Sequence, residues 1–278
     1  MISAMDEPAR CIAFDRHVTL RGASERAEIP EGWVARHRGL PSVFSLNMVI
    51  LRRPVSPTLG PADVEILSDR WLDDVGHRFI RIEDPAAADR LAPALLKAGW
   101  QRQRTLLMRL TEDAPAPEPD PRARPISEAE LNAVMRADFE LDFPRHAFPG
   151  LADTLVDAQR SLRQGTAALR FGAGVDDGLQ SMGTLFMDEG PDGHRMAMIE
   201  QVATLPGYRE RGLGRGVVSA AISAAREWGA DTVMIPADAD DWPQIMYANL
   251  GFATVARHAS FLRRPQGSPR AHGAQRGA

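Results

Sequence analysis

The stretch that most narrows what this chain can fold into runs from Met196 to Gly216: Met-Ala-Met-Ile-Glu-Gln-Val-Ala-Thr-Leu-Pro-Gly-Tyr-Arg-Glu-Arg-Gly-Leu-Gly-Arg-Gly. It opens as an apolar strand and passes through a polar loop rich in Arg and Gly. It then enters a helix, Leu213 to Trp228, with Leu213, Val217, Ala221, Ala225 and Trp228 near the 3.6-residue period and Gly229 as its stop. A strand feeding a helix N-terminus through glycines makes an anion site. The first helical amides lack internal acceptors, the helix dipole is positive there, and missing side chains let a phosphate reach the main chain. Arg209, Arg211 and Arg215 add charge-assisted donors at the rim.

Spacing separates the ligands that use such a loop. A nucleoside-triphosphate loop needs Gly-Lys-Ser or Gly-Lys-Thr, which is absent. A dinucleotide fold needs its glycines directly after a buried strand, but Leu205 to Arg211 intervene and Val217 stands where the third glycine belongs. The remaining pattern, Arg209-x-x-Gly212-x-Gly214, resembles the pyrophosphate-binding signature of the GNAT superfamily of acyl-CoA N-acyltransferases. Tyr247-Ala-Asn-Leu-Gly-Phe252 resembles the tyrosine and turn that the family carries downstream. One departure is Asp238-Ala-Asp-Asp-Trp-Pro243, where many members have an Asn.

The resemblance covers about Ile126 to Arg263 and implies a mixed α/β (α+β) fold, with a mostly antiparallel central sheet flanked by helices. It implies acetyl-CoA as cofactor, with Val202, Ala203 and Thr204 pairing with its pantetheine arm. Arg209, Glu210, Arg211, Gly212, Leu213, Gly214 and Arg215 would form the phosphate loop. Tyr247 is the candidate acid for the leaving thiolate. Glu200, read by strand alternation as sharing a face with Met198 and Val202, is the candidate base; an edge carboxylate paired with an Arg is the alternative.

The pattern around this core agrees. Ile126 to Met135 has helical spacing, with Ser127 as N-cap and Glu130 completing a capping box. A second helix is expected over 153–163, and strands over 167–171, 183–187, 196–203, 232–235 and 252–262. A short helix over 242–250 is stopped by Gly251. The acidic run Asp138, Glu140 and Asp142, after the first helix, reads as a solvated loop or as a rim for a cationic amine.

The other half of the chain rhymes with this one. Lys97-Ala-Gly-Trp100 before Thr105-Leu-Leu-Met-Arg109 parallels Asn249-Leu-Gly-Phe252 before Ser260-Phe-Leu-Arg263, so two tandem copies are expected. The first copy lacks the Arg-x-x-Gly-x-Gly loop, so one cofactor site is expected. The division is 1–111 for a degenerate copy, 112–125 for a linker stiffened by Pro115, Pro117, Pro119, Pro121 and Pro125, 126–264 for the catalytic domain, and 265–278 for a disordered tail.

A net charge of −4 argues against nucleic acid, and no apolar run is long enough for a membrane span. The single Cys11 fits a reducing cytoplasm. The histidines at 17, 37, 77, 146, 194, 258 and 272 show no paired metal-ligand spacing. Ser181 misses the nucleophile-elbow pattern by one residue. The expected activity is acetyl transfer from acetyl-CoA to a primary amine of a small molecule or peptide in a ternary complex, by a monomer or homodimer. A non-catalytic acyl-CoA-binding module and a longer acyl donor are the alternatives.

Overall fold

The computed structural model describes residues 6–164, 167–190 and 193–265. The tail expected over 265–278 lies outside them, apart from Pro265. In chain order the elements are α1 (Glu7–Arg21), β1 (Glu25–Ile29), β2 (Gly32–Arg36), β3 (Met48–Leu51), α2 (Pro61–Trp71), β4 (Arg78–Ile82), α3 (Pro85–Lys97) and β5 (Gln101–Leu110). The second half adds β6 (Ala123–Pro125), α4 (Glu128–Asp142), α5 (Leu151–Arg163), β7 (Ala167–Ala173), β8 (Ser181–Glu189), β9 (Arg195–Thr204), α6 (Leu213–Trp228), β10 (Thr232–Asp238), α7 (Pro243–Asn249) and β11 (Phe252–Arg263).

Local signals set the helix ends. Ser127 and Glu130 form the reciprocal box, the Glu130 amide donating to Ser127 Oγ and the Ser127 amide to Glu130 Oε2. Gly229 and Gly251 take left-handed φ of 79° and 93° as α6 and α7 stop. One expectation is corrected. α4 does not end near Met135 but continues to Asp142, so Asp138, Glu140 and Asp142 lie on its last turns rather than in a loop. The end of the Pro-rich segment is itself a strand, Ala123–Pro125, which pairs with β7.

Among the described residues, eleven strands form one sheet in the order β1-β2-β3-β4-β11-β5-β10-β9-β8-β7-β6. Its centre is symmetric between the halves. β3 runs parallel to β4 as β9 does to β10, while β11 pairs antiparallel with β4 as β5 does with β10. Each half therefore gives its last strand to the other. The two exchanged strands, β5 and β11, pair along nearly their whole length at the middle. The rhyme between 97–109 and 249–263 is the sequence trace of this: α3 and α7 each end at a left-handed glycine, Gly99 or Gly251, and release an exchanged strand.

Helices cover both faces. α6 and α7 pack on one face of the second half through Leu213, Val217, Ala221, Tyr247 and Leu250, against Ile199, Ile235 and Phe252. α2 and α3 cover that face of the first half. α1 crosses the opposite face with Cys11, Phe14 and Val18, packing on Leu107, Phe186, Met198 and Met234. α4 and α5 extend that layer over β8 and β9 through Leu131, Val134 and Val156, which pack on Met182 of β8. Among the described residues, no helix is long and apolar enough to cross a membrane.

Candidate active site

β9 and β10 are parallel neighbours over only three residue pairs, Met196 with Thr232 to Met198 with Met234. Beyond Met198 they diverge, and β9 continues to Thr204 with its β10 side unladdered. A wedge opens through the sheet.

A bulge in β9 shapes the wedge. Gln201 holds φ 60°, uncommon for a residue with a side chain, and the β8–β9 register shifts at Met182/Thr184. The Gln201 side chain is held by Arg163 Nη1 at 3.0 Å and Thr184 Oγ1 at 2.8 Å, both donating to Oε1. The expected alternation fails here. Glu200 stays on the α1 side with Met198, while Val202 packs on the α6 side near Val217 and Gly183. Glu200 and Val202 thus flank opposite faces, because the bulge consumes one residue of the period-2 pattern.

Glu200 lines an open cavity of about 220 Å³ with Asp15, Arg81, Gln103, Thr105, Pro236, Ala237, Asp238 and His258. Burial, and then the Asp15 charge, push its carboxyl up to about 7, against the opposing Gln201 amide and Arg81. It is not paired with an Arg among the described residues. Tyr247, on α7, is buried on the other face and stacks edgewise on Phe252 with ring centroids 6.3 Å apart. Its hydroxyl makes no hydrogen bond among the described residues. Burial first, then Glu200 and Asp241, push the phenol well above its ordinary value, so it is a protonated donor at any physiological pH.

The α6 N-terminus lies below the wedge on Tyr247's face. Gly212 caps it at φ 78°, and the first intrahelical bond runs from the Gly216 amide to Gly212 O at 2.9 Å. The amides of Leu213, Gly214 and Arg215 precede that bond and have no helical acceptor. A Cβ on Gly214 would come within 3.2 Å of Thr204 Oγ1, so a side chain there would fill the space between β9 and the helix. Arg209 Nε donates to Thr204 O at 3.1 Å, tying the loop to the strand end. Arg211 stacks on Tyr208, Glu210 holds φ 61°, and Arg215 is exposed. The three amides fit a pyrophosphate, and the Arg122–Asp120 pair lies beside them, Arg122 Nη1 donating to Arg211 O at 3.0 Å and Asp120 lying against Gly216. Beside this turn an apolar groove of about 280 Å³ lies between Arg215 and Trp242, Ile245, Met246 and Asn249 of α7.

The equivalent turn of the first half is different. α2 starts at Gly60 with Pro61, which has no amide hydrogen, and the Gly60 amide already donates to Asp63 Oδ2 at 2.7 Å. A carboxylate sits where an anion would have to bind.

Asp138, Glu140 and Asp142 do not line the cavity; Glu140 is bonded to Arg145. Ser181 is buried in β8, its hydroxyl bonded to Ala203 O and Thr204 Oγ1. No group of metal-holding side chains occurs among the described residues. The residues missed from sequence are Asp15, Arg81, Gln103, Thr105, Asp238 and His258. They come from α1, β4, β5, β10 and β11 and meet only through the strand exchange.

Residues 133–252 match the family model described as Acetyltransferase (GNAT) family. No curated protein matches the sequence. Among solved structures, a GCN5-related N-acetyltransferase from Kribbella flavida aligns at TM-score 0.61 and 19% identity, over 95% of this chain and 98% of that one. A conserved protein of unknown function from Staphylococcus epidermidis aligns at TM-score 0.58 and 14% identity, over 86% and 93%. A tandem GNAT protein from the clavulanic acid biosynthesis pathway aligns at TM-score 0.50 and 14% identity, over 90% and 88%. At these identities the likeness is one of fold.

Proposed function

Taking as premise that residues 133–252 form a GNAT-family domain, we propose that this protein transfers the acetyl group of acetyl-CoA to a primary amine. The observation that carries the reading is the wedge between β9 and β10, with an amide-lined phosphate cradle on one face and a carboxylate-lined cavity on the other.

Acetyl-CoA would supply the acyl group as an activated thioester. Leu213, Gly214 and Arg215 would donate main-chain hydrogen bonds to its pyrophosphate, with Arg209, Glu210, Arg211 and Gly212 shaping the loop. Val202, Ala203 and Thr204 are paired with β8 on one side only, and the pantetheine arm can lie along their β10 side as an added strand. The apolar groove against Trp242 and Ile245 would take an apolar part of the same molecule.

Glu200, ionised above about pH 7, takes a proton from the attacking nitrogen directly or through water. As the N–C bond forms and the C–S bond breaks, Tyr247 Oη gives its proton to sulfur. One proton then returns from Glu200 to Tyr247 through solvent. Among the described residues the first half builds cavity wall, and its α2 start, with Pro61 and the Asp63 carboxylate, supports a single cofactor site in the second half.

A panel of primary amines tests this by thiol release from acetyl-CoA. Turnover that falls sharply in Tyr247→Phe supports transfer. Tight acetyl-CoA binding with no turnover on any amine supports a binding module instead.

A further inference from the structure

The cavity beside Glu200 takes its charge from both halves. Asp15, 5% exposed, lies on the same face of α1 as Cys11, Phe14 and Val18, which pack on Met198, two residues before Glu200 on β9. A short network fixes its carboxylate there. Arg81 Nη1 donates to Asp15 Oδ2 at 2.7 Å, and Arg81 Nη2 donates at 3.2 Å to Thr19 Oγ1, one turn along the same helix. Thr19 Oγ1 in turn donates to Asp15 O at 2.9 Å, and His258 Nε2 lies 3.4 Å from Asp15 Oδ2. Against the cost of burial, Arg81 and His258 hold the Asp15 carboxyl below its ordinary value. Asp15 is therefore an anion throughout the range in which Glu200 titrates.

A fixed anion shielded from bulk water opposes the ionisation of a second carboxyl that shares its cavity. Arg81 works the other way, but its charge acts on Glu200 less than that of Asp15 does. The other elements add less. β11 brings His258, held below its ordinary value by burial and Arg81; β10 brings Asp238, and β5 the uncharged Gln103 and Thr105. Across the wedge Tyr247 is a neutral phenol, Arg163 of α5 is bonded to Gln201 and Glu128, and Arg16 of α1 is bonded to Glu83. We infer that Asp15 is a positioning residue that acts through Glu200: α1 of the first half sets a fixed anion against the base in the second half and so governs its proton transfer. This rests on the reading of Glu200 as the base. The first half thereby takes part in the chemistry without touching the reacting atoms.

The test follows the pH dependence of kcat/KM for acetyl transfer in the full-length protein, in Asp15→Asn, in Asp15→Glu, and in a double variant, Asp15→Asn with Arg81→Gln, that leaves neither charge buried alone. Asp15→Asn should move the rise in kcat/KM to the acid side by about one pH unit or more. The double variant should move it the same way by less, and Asp15→Glu should keep it near the wild-type position. A purely structural defect would lower the plateau without moving the midpoint. Carboxyl-carbon NMR of protein labelled at glutamate, with the Glu200 signal assigned by its loss in Glu200→Gln, reads the same midpoint without turnover. A Glu200 midpoint equal in the wild type and in the two variants that lack the Asp15 charge overturns the inference and leaves the transferase reading standing. A midpoint that moves by NMR while kcat/KM shows no rise with pH, or while no amine is turned over, overturns Glu200 as the base and the role of Asp15 with it.

Discussion

Arg163 Nη1 donates to Gln201 Oε1 at 3.0 Å, and through this bond a buried guanidinium on α5 fixes the bulge that separates Glu200 from Val202. Arg163 is anchored in turn by Asn132 Oδ1 at 2.8 Å and Glu128 Oε1 at 3.3 Å. A residue at positive φ costs about 1–3 kcal/mol and persists only where its surroundings over-determine it.

Replacing Arg163 by Ala should therefore release the bulge. Kcat is expected to fall about tenfold or more, with acetyl-CoA affinity changed less, because α6 makes the cradle. Stability should fall by about 2–4 kcal/mol, since Glu128 and Asn132 lose a buried partner. Steady-state kinetics and chemical denaturation check both halves of the expectation; an unchanged kcat would remove the positioning role.

The rate should follow the ionisation of Glu200. Its carboxyl is raised to about 7, so kcat/KM is expected to rise with pH through that value and level off above it. Glu200→Gln should be slow and lose this step. The stability consequence has the opposite sign. The folded state binds the proton more tightly than the unfolded chain does, so Glu200 removes stability as pH rises from about 4.5 to about 7. Glu200→Gln should melt higher than wild type at pH 8 and show little difference at pH 4; the reverse order would contradict its burial as an anion.

Tyr247→Phe should cost about 10²-fold or more in kcat and little in stability. The lost hydroxyl makes no hydrogen bond among the described residues, and the ring contact with Phe252 remains. A large fall in melting temperature with modest loss of rate would mark Tyr247 as a packing residue.

Much of the second half was legible because its signals are local. The Ser127–Glu130 box, the apolar period of α6, and Gly229 and Gly251 act within a few residues of the structure they set. The amide-lined turn at the start of α6 is local for the same reason: strand end, loop and helix start are contiguous. The cavity beside Glu200 was not legible, because Asp15, Arg81 and His258 are brought together by the packing and pairing of distant elements. The face of Val202 was misread because a bulge held by Arg163, thirty-eight positions away, leaves no mark in a period-2 pattern.

Strand exchange gives a further expectation. Residues 1–112 alone would lack β11, which covers β4, and residues 113–278 alone would lack β5, which covers β10. Phe261, fully buried among first-half side chains, and Met108, buried among second-half ones, would be exposed, and Leu107 would lose its contacts with Phe186, Met198 and Met234. Neither fragment should unfold cooperatively alone, whereas the two produced together should recover a single transition. Independent cooperative folding of either fragment would show that the exchanged strands are dispensable.

The central claim is that α6 begins at a site for the pyrophosphate of acetyl-CoA, and calorimetric titration of acetyl-CoA into wild-type and Gly214→Glu proteins tests it most directly. Glutamate there would fill the space beside Thr204 and bring negative charge to the helix N-terminus. Saturable one-to-one binding by the wild type, lost in a Gly214→Glu protein that still unfolds cooperatively, is the predicted result. Equal affinity in the two proteins would contradict it.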